Sequence, residues 1–290
     1  MIRSLLLAGA AALVLTAPAS AAKKPAPPPA PPAAPDAPTA ADWRVPDPEN
    51  VLVIDTNKGR IFVELSPLAA PNHVARIKEL TRAGLYDGRS FFRVIDQFMA
   101  QTGDPKDDGT GGSDKPDLPG EFTFRRGPQT PFQMVADQTV AEIGFIGALP
   151  VMTQSTMLMP LTADGKIAAW GLYCPGVAGM ARADSPDSAN SQFFLMRQAY
   201  PSLEKRYTAF GRVIAGEDVV RAIKVGEPVE APQDKMLKAQ MLVDMPAATR
   251  PKIKVVDPTS AWFKAEVASV RAKMGADFTA CAIRIPSEVK

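Results

Sequence analysis

The stretch Phe91-Phe92-Arg93-Val94-Ile95-Asp96-Gln97-Phe98-Met99-Ala100-Gln101-Thr102-Gly103-Asp104 decides how the rest of the chain is read. It has strand-like character, and Phe92, Val94, Phe98 and Met99 are the material of a core or an apolar pocket. Arg93 and Gln101 interrupt them with hydrogen-bonding groups that a purely structural strand does not need. Such a combination can build an apolar pocket with polar edges. Further along, Ser191-Gln192-Phe193-Phe194 again sets an amide beside aromatic rings.

Around this stretch, a chain of 290 residues with 46% hydrophobic content can hold one large domain or two small ones. The 33 basic and 31 acidic residues are spread along it, so the formal charge of +2 includes no basic patch for nucleic acid. Residues 1–22 combine Arg3, an apolar run from Leu5 to Leu15 and the small-residue site Ala19-Ser20-Ala21, the pattern of a secretory signal peptide. The run is short of the roughly 20 apolar residues of a spanning helix, so no membrane association is expected after cleavage. Residues 23–48 are dominated by Pro and Ala and read as a disordered, polyproline-like spacer. Only Cys174 and Cys281 occur. A disulfide between them and two separate buried thiols fit the sequence equally well.

From Val51 the punctuation is clearer. Val51 to Thr56 and Arg60 to Leu65 flank Asn57-Lys58-Gly59, the pattern of a β-hairpin. Pro71 starts a helix with Val74, Ile77 and Leu80 on one side, and Gly84 stops it. His73, the only histidine, reads as an exposed helix residue, with no cluster nearby to make it a metal ligand and no Gly-x-Ser-x-Gly elbow to make it a hydrolase base. Asp108-Gly109-Thr110-Gly111-Gly112-Ser113 belongs to a long structured loop and lacks the Gly-Lys-Ser/Thr of a phosphate-binding loop. Within 125–171, Val140, Ile143, Phe145 and Ile146 form an apolar patch, and Met152, Met157 and Met159 are expected to line a core. Strands are expected over 167–173, 176–182, 191–196 and 207–213, followed by a short helix from Glu217 and Asp218. In the tail, Lys252 to Val256 alternates like a strand, Phe263, Val267, Val270 and Met274 form a helical stripe expected to pack on the barrel, with a partner-binding face as the alternative, and Thr279 to Ile285 suggests a last strand.

The order of these motifs resembles the cyclophilin family of peptidyl-prolyl cis-trans isomerases. The resemblance rests on Phe92-Arg93-Val94-Ile95, Phe98-Met99-Ala100-Gln101-Thr102-Gly103-Asp104, Gly109-Thr110-Gly111-Gly112, Gly179-Met180-Ala181-Arg182, Ser191-Gln192-Phe193-Phe194 and Phe210-Gly211-Arg212-Val213. Each alone is weak, but together in the family's order they are specific. The resemblance implies a mainly β fold over 49–256, a closed eight-stranded antiparallel barrel with two capping helices. An insertion at about 125–171 and a C-terminal α/β extension over 257–290 fall outside the family pattern.

The resemblance also implies a site. Arg93 matches the family's catalytic arginine. Phe98, Met99, Phe194 and Leu203 match the walls of its proline pocket, Gln101 and Gln192 its polar rim, and Ala181, Arg182 and Tyr207 further substrate-binding positions. The family's usual aromatic pocket residue falls on Ser202, which leaves one wall thinner, with Tyr200 close enough in sequence to replace it. Arg182 and Tyr207 lean toward bacterial members, so a periplasmic or secreted protein is expected. The implied activity is rotation about X-Pro bonds in proline-containing polypeptides. It needs neither proton transfer nor a nucleophile, so no cofactor or metal is expected. The alternative is a proline-peptide-binding chaperone or scaffold with weak turnover.

Overall fold

A computed structural model describes residues 36–290. The expected signal peptide at 1–22 and the first part of the spacer, 23–35, lie outside the described residues. The rest of the spacer is not disordered as expected: residues 40–42 form a 3-10 turn, and strand β1 follows at Trp43–Arg44. Side chains that a count of Pro and Ala overlooks hold it there. Arg44 makes a two-pronged ion pair with Glu64, at 2.5 and 2.7 Å, and Trp43 packs against the apolar core.

The chain then runs through the hairpin β2 (Val51–Thr56) and β3 (Gly59–Leu65), helix α1 (Pro71–Arg82), β4 (Arg93–Ile95) and β5 (Met99–Thr102). A long loop leads to β6 (Phe124–Arg126), β7 (Gln133–Gln138), β8 (Ala141–Ile146), β9 (Leu149–Gln154) and β10 (Ile167–Gly171). After these come β11 (Val177–Met180), β12 (Phe193–Met196), β13 (Ala209–Ala215), α2 (Glu217–Ala222), β14 (Met236–Met241), β15 (Ile253–Val256), α3 (Ala261–Met274) and β16 (Ser287–Val289).

Eight strands make one antiparallel sheet in the order β14-β2-β3-β13-β11-β12-β5-β4. Its core includes Leu52, Ile54, Ile61 and Val63, and Phe193 meets Tyr86 and Phe210 edge to face at 5.4 and 6.0 Å. The expected closed barrel is instead a curled sheet whose ladder stays open between β4 and β14. Isolated bridges, Ser90 to Lys235 and Val94 to Gly226, join those edges. The chain that faces β4 there carries Pro228 and Pro232, which have no N–H to donate to a continuous ladder.

The insertion forms a second antiparallel sheet, β6-β10-β9-β8-β7. Helix α3, expected on the barrel, packs on this second sheet instead: Phe263 meets Phe145 of β8 edge to face at 5.4 Å, and Arg271 donates to the Val135 carbonyl at 2.7 Å. The core between them is continuous with Met99 and Phe194 of the main sheet. The methionine run lines this core only in part. Met159 is buried but Met157 is 84% exposed, because residues 156–161 form a 3-10 stretch with one packed face.

In the tail, β15 pairs with β1 on one side and β16 on the other. The last strand is Ser287–Val289, not 279–285. Thr279 instead caps a 3-10 turn, Ala280–Ala282, with its side chain accepting from the Cys281 N–H at 3.3 Å. Cys281 is disulfide-bonded to Cys174, with 4.9 Å between their Cα atoms, which settles the pairing that sequence left open.

His73 is fully buried rather than exposed. Ala70 gives α1 no side-chain cap, and Glu121 from the loop after β5 takes that place. Its carboxylate accepts from the N–H groups of Asn72 (3.1 Å) and His73 (3.0 Å) and from His73 Nδ1 at 2.7 Å. Burial alone would raise the Glu121 pKa, but the hydrogen bonds from His73 and Asn72 hold it below the ordinary 4.5. A folded-state pKa below the unfolded one gives stability that is complete above about 4.5 and is lost as pH falls through the folded value. Glu121→Gln should therefore lower the melting temperature at neutral pH, and its deficit against the wild type should shrink as pH falls below about 4.5. Thermal unfolding followed by circular dichroism over that range checks this, and a deficit independent of pH would contradict it.

Candidate functional site

Strand register assembles the site. Arg93 of β4 lies opposite Gln101 of β5, Gln101 opposite Phe194 of β12, and Phe194 opposite Gly179 of β11. Four adjacent strands thus carry one row of residues. Gly179 is required by the ring beside it, since a Cβ there would come within 2.6 Å of Phe194 Cζ. Leu203 enters on the 3-10 turn Pro201–Leu203, and the Tyr207 ring stands edge-on to Phe194 at 6.0 Å.

These residues enclose a cavity of about 180 Å³. Phe98, Met99, Phe194, Leu203 and Tyr207 supply its apolar walls, and Arg93, Gln101, Ala181 and Arg182 its remaining lining. Gln192 lies in an adjoining cavity of about 360 Å³, which shares Gln101, Ala181 and Arg182 and extends along the loop from Gly109 to Gly112. Every residue that the resemblance assigns to the site therefore lines one of these two adjoining hollows, while Ser202 and Tyr200 line neither. Behind Phe194, at 6.0 Å, lies Tyr173, whose burial pushes its hydroxyl well above the ordinary tyrosine pKa and keeps it neutral.

The polar groups form a relay. Arg93 Nε donates to Glu227 at 2.6 Å, and Arg93 Nη1 donates to Gln101 Oε1 at 3.2 Å. Gln101 Nε2 donates to Gln192 Oε1 at 2.9 Å, and Gln192 Nε2 donates to the carbonyls of Gly109 and Gly111 at 3.1 and 2.8 Å. The glycine loop is itself shaped by buried Asp104, which accepts from the N–H groups of Lys106, Asp108 and Gly109. Arg182 is pinned differently. It lies 4.4 Å over the Tyr207 ring and donates to the carbonyls of Ala183, Asp184 and Arg206.

Two parts of the site were not visible in the sequence. Glu227, the ion-pair partner of Arg93, is 134 residues away in an irregular loop, where no local pattern signals it. The insertion also braces the wall: Trp170 of β10 donates to Glu204 at 3.3 Å and carries Lys205 on its ring face at 3.6 Å, just after Leu203. Neither Ser202 nor Tyr200 lines the smaller cavity. Tyr200 instead packs on Phe98 with 4.4 Å between ring centroids. Among the described residues, no His, Cys, Asp and Glu cluster could hold a metal, and no helix is long and apolar enough to cross a membrane.

Residues 51–244 match the family model of the cyclophilin type peptidyl-prolyl cis-trans isomerase/CLD. The chain belongs to the cyclophilin family. As an enzyme it is a cyclophilin-type peptidyl-prolyl cis-trans isomerase. This cyclophilin is 36% identical over 213 residues to a Brucella suis biovar 1 (strain 1330) protein named "Probable peptidyl-prolyl cis-trans isomerase", an alignment that covers 68% of this chain and 85% of that one. The crystal structure of cyclophilin AquaCyp293 from Hirschia baltica matches with a TM-score of 0.78 at 36% identity, covering 85% of this chain and 93% of that chain. Its match is longer than residues 51–244, so part of what lies outside the family span has a counterpart there. Peptidyl-prolyl cis-trans isomerase CYP71 of Arabidopsis thaliana is 32% identical over 177 residues, covering 61% of this chain and 21% of that protein.

Proposed function

We propose that this cyclophilin is an exported isomerase that accelerates X-Pro rotation in folding polypeptides. In this reading Arg93 polarises the twisted amide while the proline ring occupies the cavity of about 180 Å³. The observation that carries the proposal is a guanidinium, oriented by Glu227 and Gln101, on the lining of a hollow of that size whose other walls include Phe98, Met99, Phe194 and Leu203.

Amide resonance opposes the rotation with a barrier of about 18–20 kcal/mol. What lowers it is any group that favours the twisted amide over the planar one. On twisting, the prolyl nitrogen becomes pyramidal and gains a lone pair able to accept an N–H. Arginine suits this task because it stays charged and presents its donors in a rigid fork. Glu227 and Gln101 orient Arg93 from two sides, and each terminal nitrogen keeps an N–H for substrate. The walls of Phe98, Met99, Phe194 and Leu203 exclude water, which strengthens the Arg93 interaction. Arg182 and Gln101 hold the neighbouring peptide, with Arg182 acting through the loop carbonyls it already binds.

The partners in this proposal are proline-containing polypeptides. Two observations support a periplasmic or secreted setting: the apolar run near the N-terminus and the disulfide between Cys174 and Cys281, a bond that persists in oxidising compartments. The test is cis-trans exchange of a proline peptide, followed by NMR, with wild type and Arg93→Ala; equal rates would overturn the arginine's role. Ser202→Trp should add the missing wall beside Leu203. At about 1 kcal/mol of additional burial, kcat/KM should rise roughly fivefold. An unchanged kcat/KM would mean that Ser202 does not face bound substrate.

A further inference from the structure

A cavity of about 410 Å³, larger than either hollow at the isomerase site, lies between β13, the start of α2 and tail residues 281–286. None of the isomerase-site residues lines it. Arg212, in mid-strand on β13, does line it and is only 7% exposed. Its single side-chain hydrogen bond among the described residues runs from Nη1 to the Ala148 carbonyl at 3.4 Å, and it makes no ion pair with any of them. The other buried arginines are better supplied. Arg76 has Glu79 at 3.5 Å, and Arg197 has Asp96 at 2.8 Å plus two backbone carbonyls.

The carboxylates Glu217 and Asp218 belong to the wall, but neither makes an ion pair with Arg212. Arg221 and Arg284 also line the cavity, but they are engaged by Glu217 at 2.5 Å and Glu266 at 2.7 Å. A guanidinium does not deprotonate in a protein, so a buried one without a counter-charge is costly. Burial lowers the pKa of Arg212, and Glu217 is the one acid that offsets this. A ligand oxyanion would relieve the cost, since the guanidinium fork pairs naturally with a carboxylate or phosphate. Val213, Ile283 and Ile285 add apolar wall for a short organic part.

We propose that this cavity binds a small oxyanion, the carboxylate or phosphate group of a low-molecular-weight compound, with Arg212 as its principal ligand. Cys281 belongs to the same wall, so a bound anion would bridge the main sheet and the tail that the disulfide fastens to it.

The test is thermal unfolding of the oxidised protein with sodium phosphate or sodium succinate, against sodium chloride at equal ionic strength. A saturable rise in melting temperature with phosphate, succinate or both, beyond that with chloride, supports the site, and the responding anion identifies the group it takes. Arg212→Leu should abolish the rise while leaving proline-peptide isomerisation unchanged, and Arg212→Lys should weaken binding about tenfold. If Arg212→Leu does not fold, Glu217→Gln serves instead, because losing a carboxylate from the wall should tighten anion binding several-fold. The absence of any saturable rise, its persistence in Arg212→Leu, or an unchanged affinity in Glu217→Gln would each overturn the proposal.

Discussion

Arg93→Ala is expected to lower kcat/KM for X-Pro isomerisation by about two to three orders of magnitude, the loss found when one preorganised donor to developing charge is removed. The fold should survive the change. Arg93 is 36% exposed and Glu227 54%, and an exposed ion pair of this kind contributes about 0–1 kcal/mol. Arg93→Lys should recover little, because lysine keeps the charge but donates from a single nitrogen, without the planar fork that reaches Glu227 and Gln101 from Nε and Nη1. Exchange rates for the three proteins, measured beside their melting temperatures, separate lost catalysis from lost fold. Wild-type rates in Arg93→Ala would remove the arginine from the mechanism and leave the apolar cavity as its principal element.

Replacing both cysteines by serine is expected to have the largest effect on stability, about 2–5 kcal/mol. The bond joins residues 107 apart, and loop-closure entropy for about 100 residues amounts to roughly 4.7 kcal/mol. The tail should give way first. Beyond the disulfide it is held by the Phe263–Phe145 contact, the hydrogen bond from Arg271 to the Val135 carbonyl and the short ladder of β15 with β16. Urea unfolding of wild type with and without reductant, and of the double variant, checks this. Coincident curves for all three would mean that side-chain packing alone holds the tail in place.

What the sequence disclosed is what is written locally. The β2–β3 hairpin follows from two β-rich runs around Asn57-Lys58-Gly59, and α1 from Pro71, its apolar spacing and Gly84. The cavity residues were found through motifs whose order, rather than any one spacing, is informative. Features that depend on a distant partner stayed hidden. His73 sits among polar neighbours in sequence, and only Glu121, 48 residues on, explains its burial. Strand β8 has all six residues buried, so the alternation that marks a half-exposed strand is missing. The two prolines that interrupt the β4–β14 edge are plain in the sequence, but the strand they face is not. The stretch 279–285 is apolar enough for a strand, yet the Thr279 side chain turns the backbone away from one.

The relay from Arg93 to the glycine loop has a direction. Arginine can only donate and the carbonyls of Gly109 and Gly111 can only accept, so each glutamine amide between them has one permitted orientation. The two ends act like the poles of a wire and fix its polarity. Glutamate, although the same size, could conduct at neither middle position: at 101 it has no proton to pass to Gln192, and at 192 it would turn a carboxylate toward two carbonyl oxygens. The orientation of Arg93 and the shape of a loop 16 to 18 residues beyond it are thereby parts of one circuit.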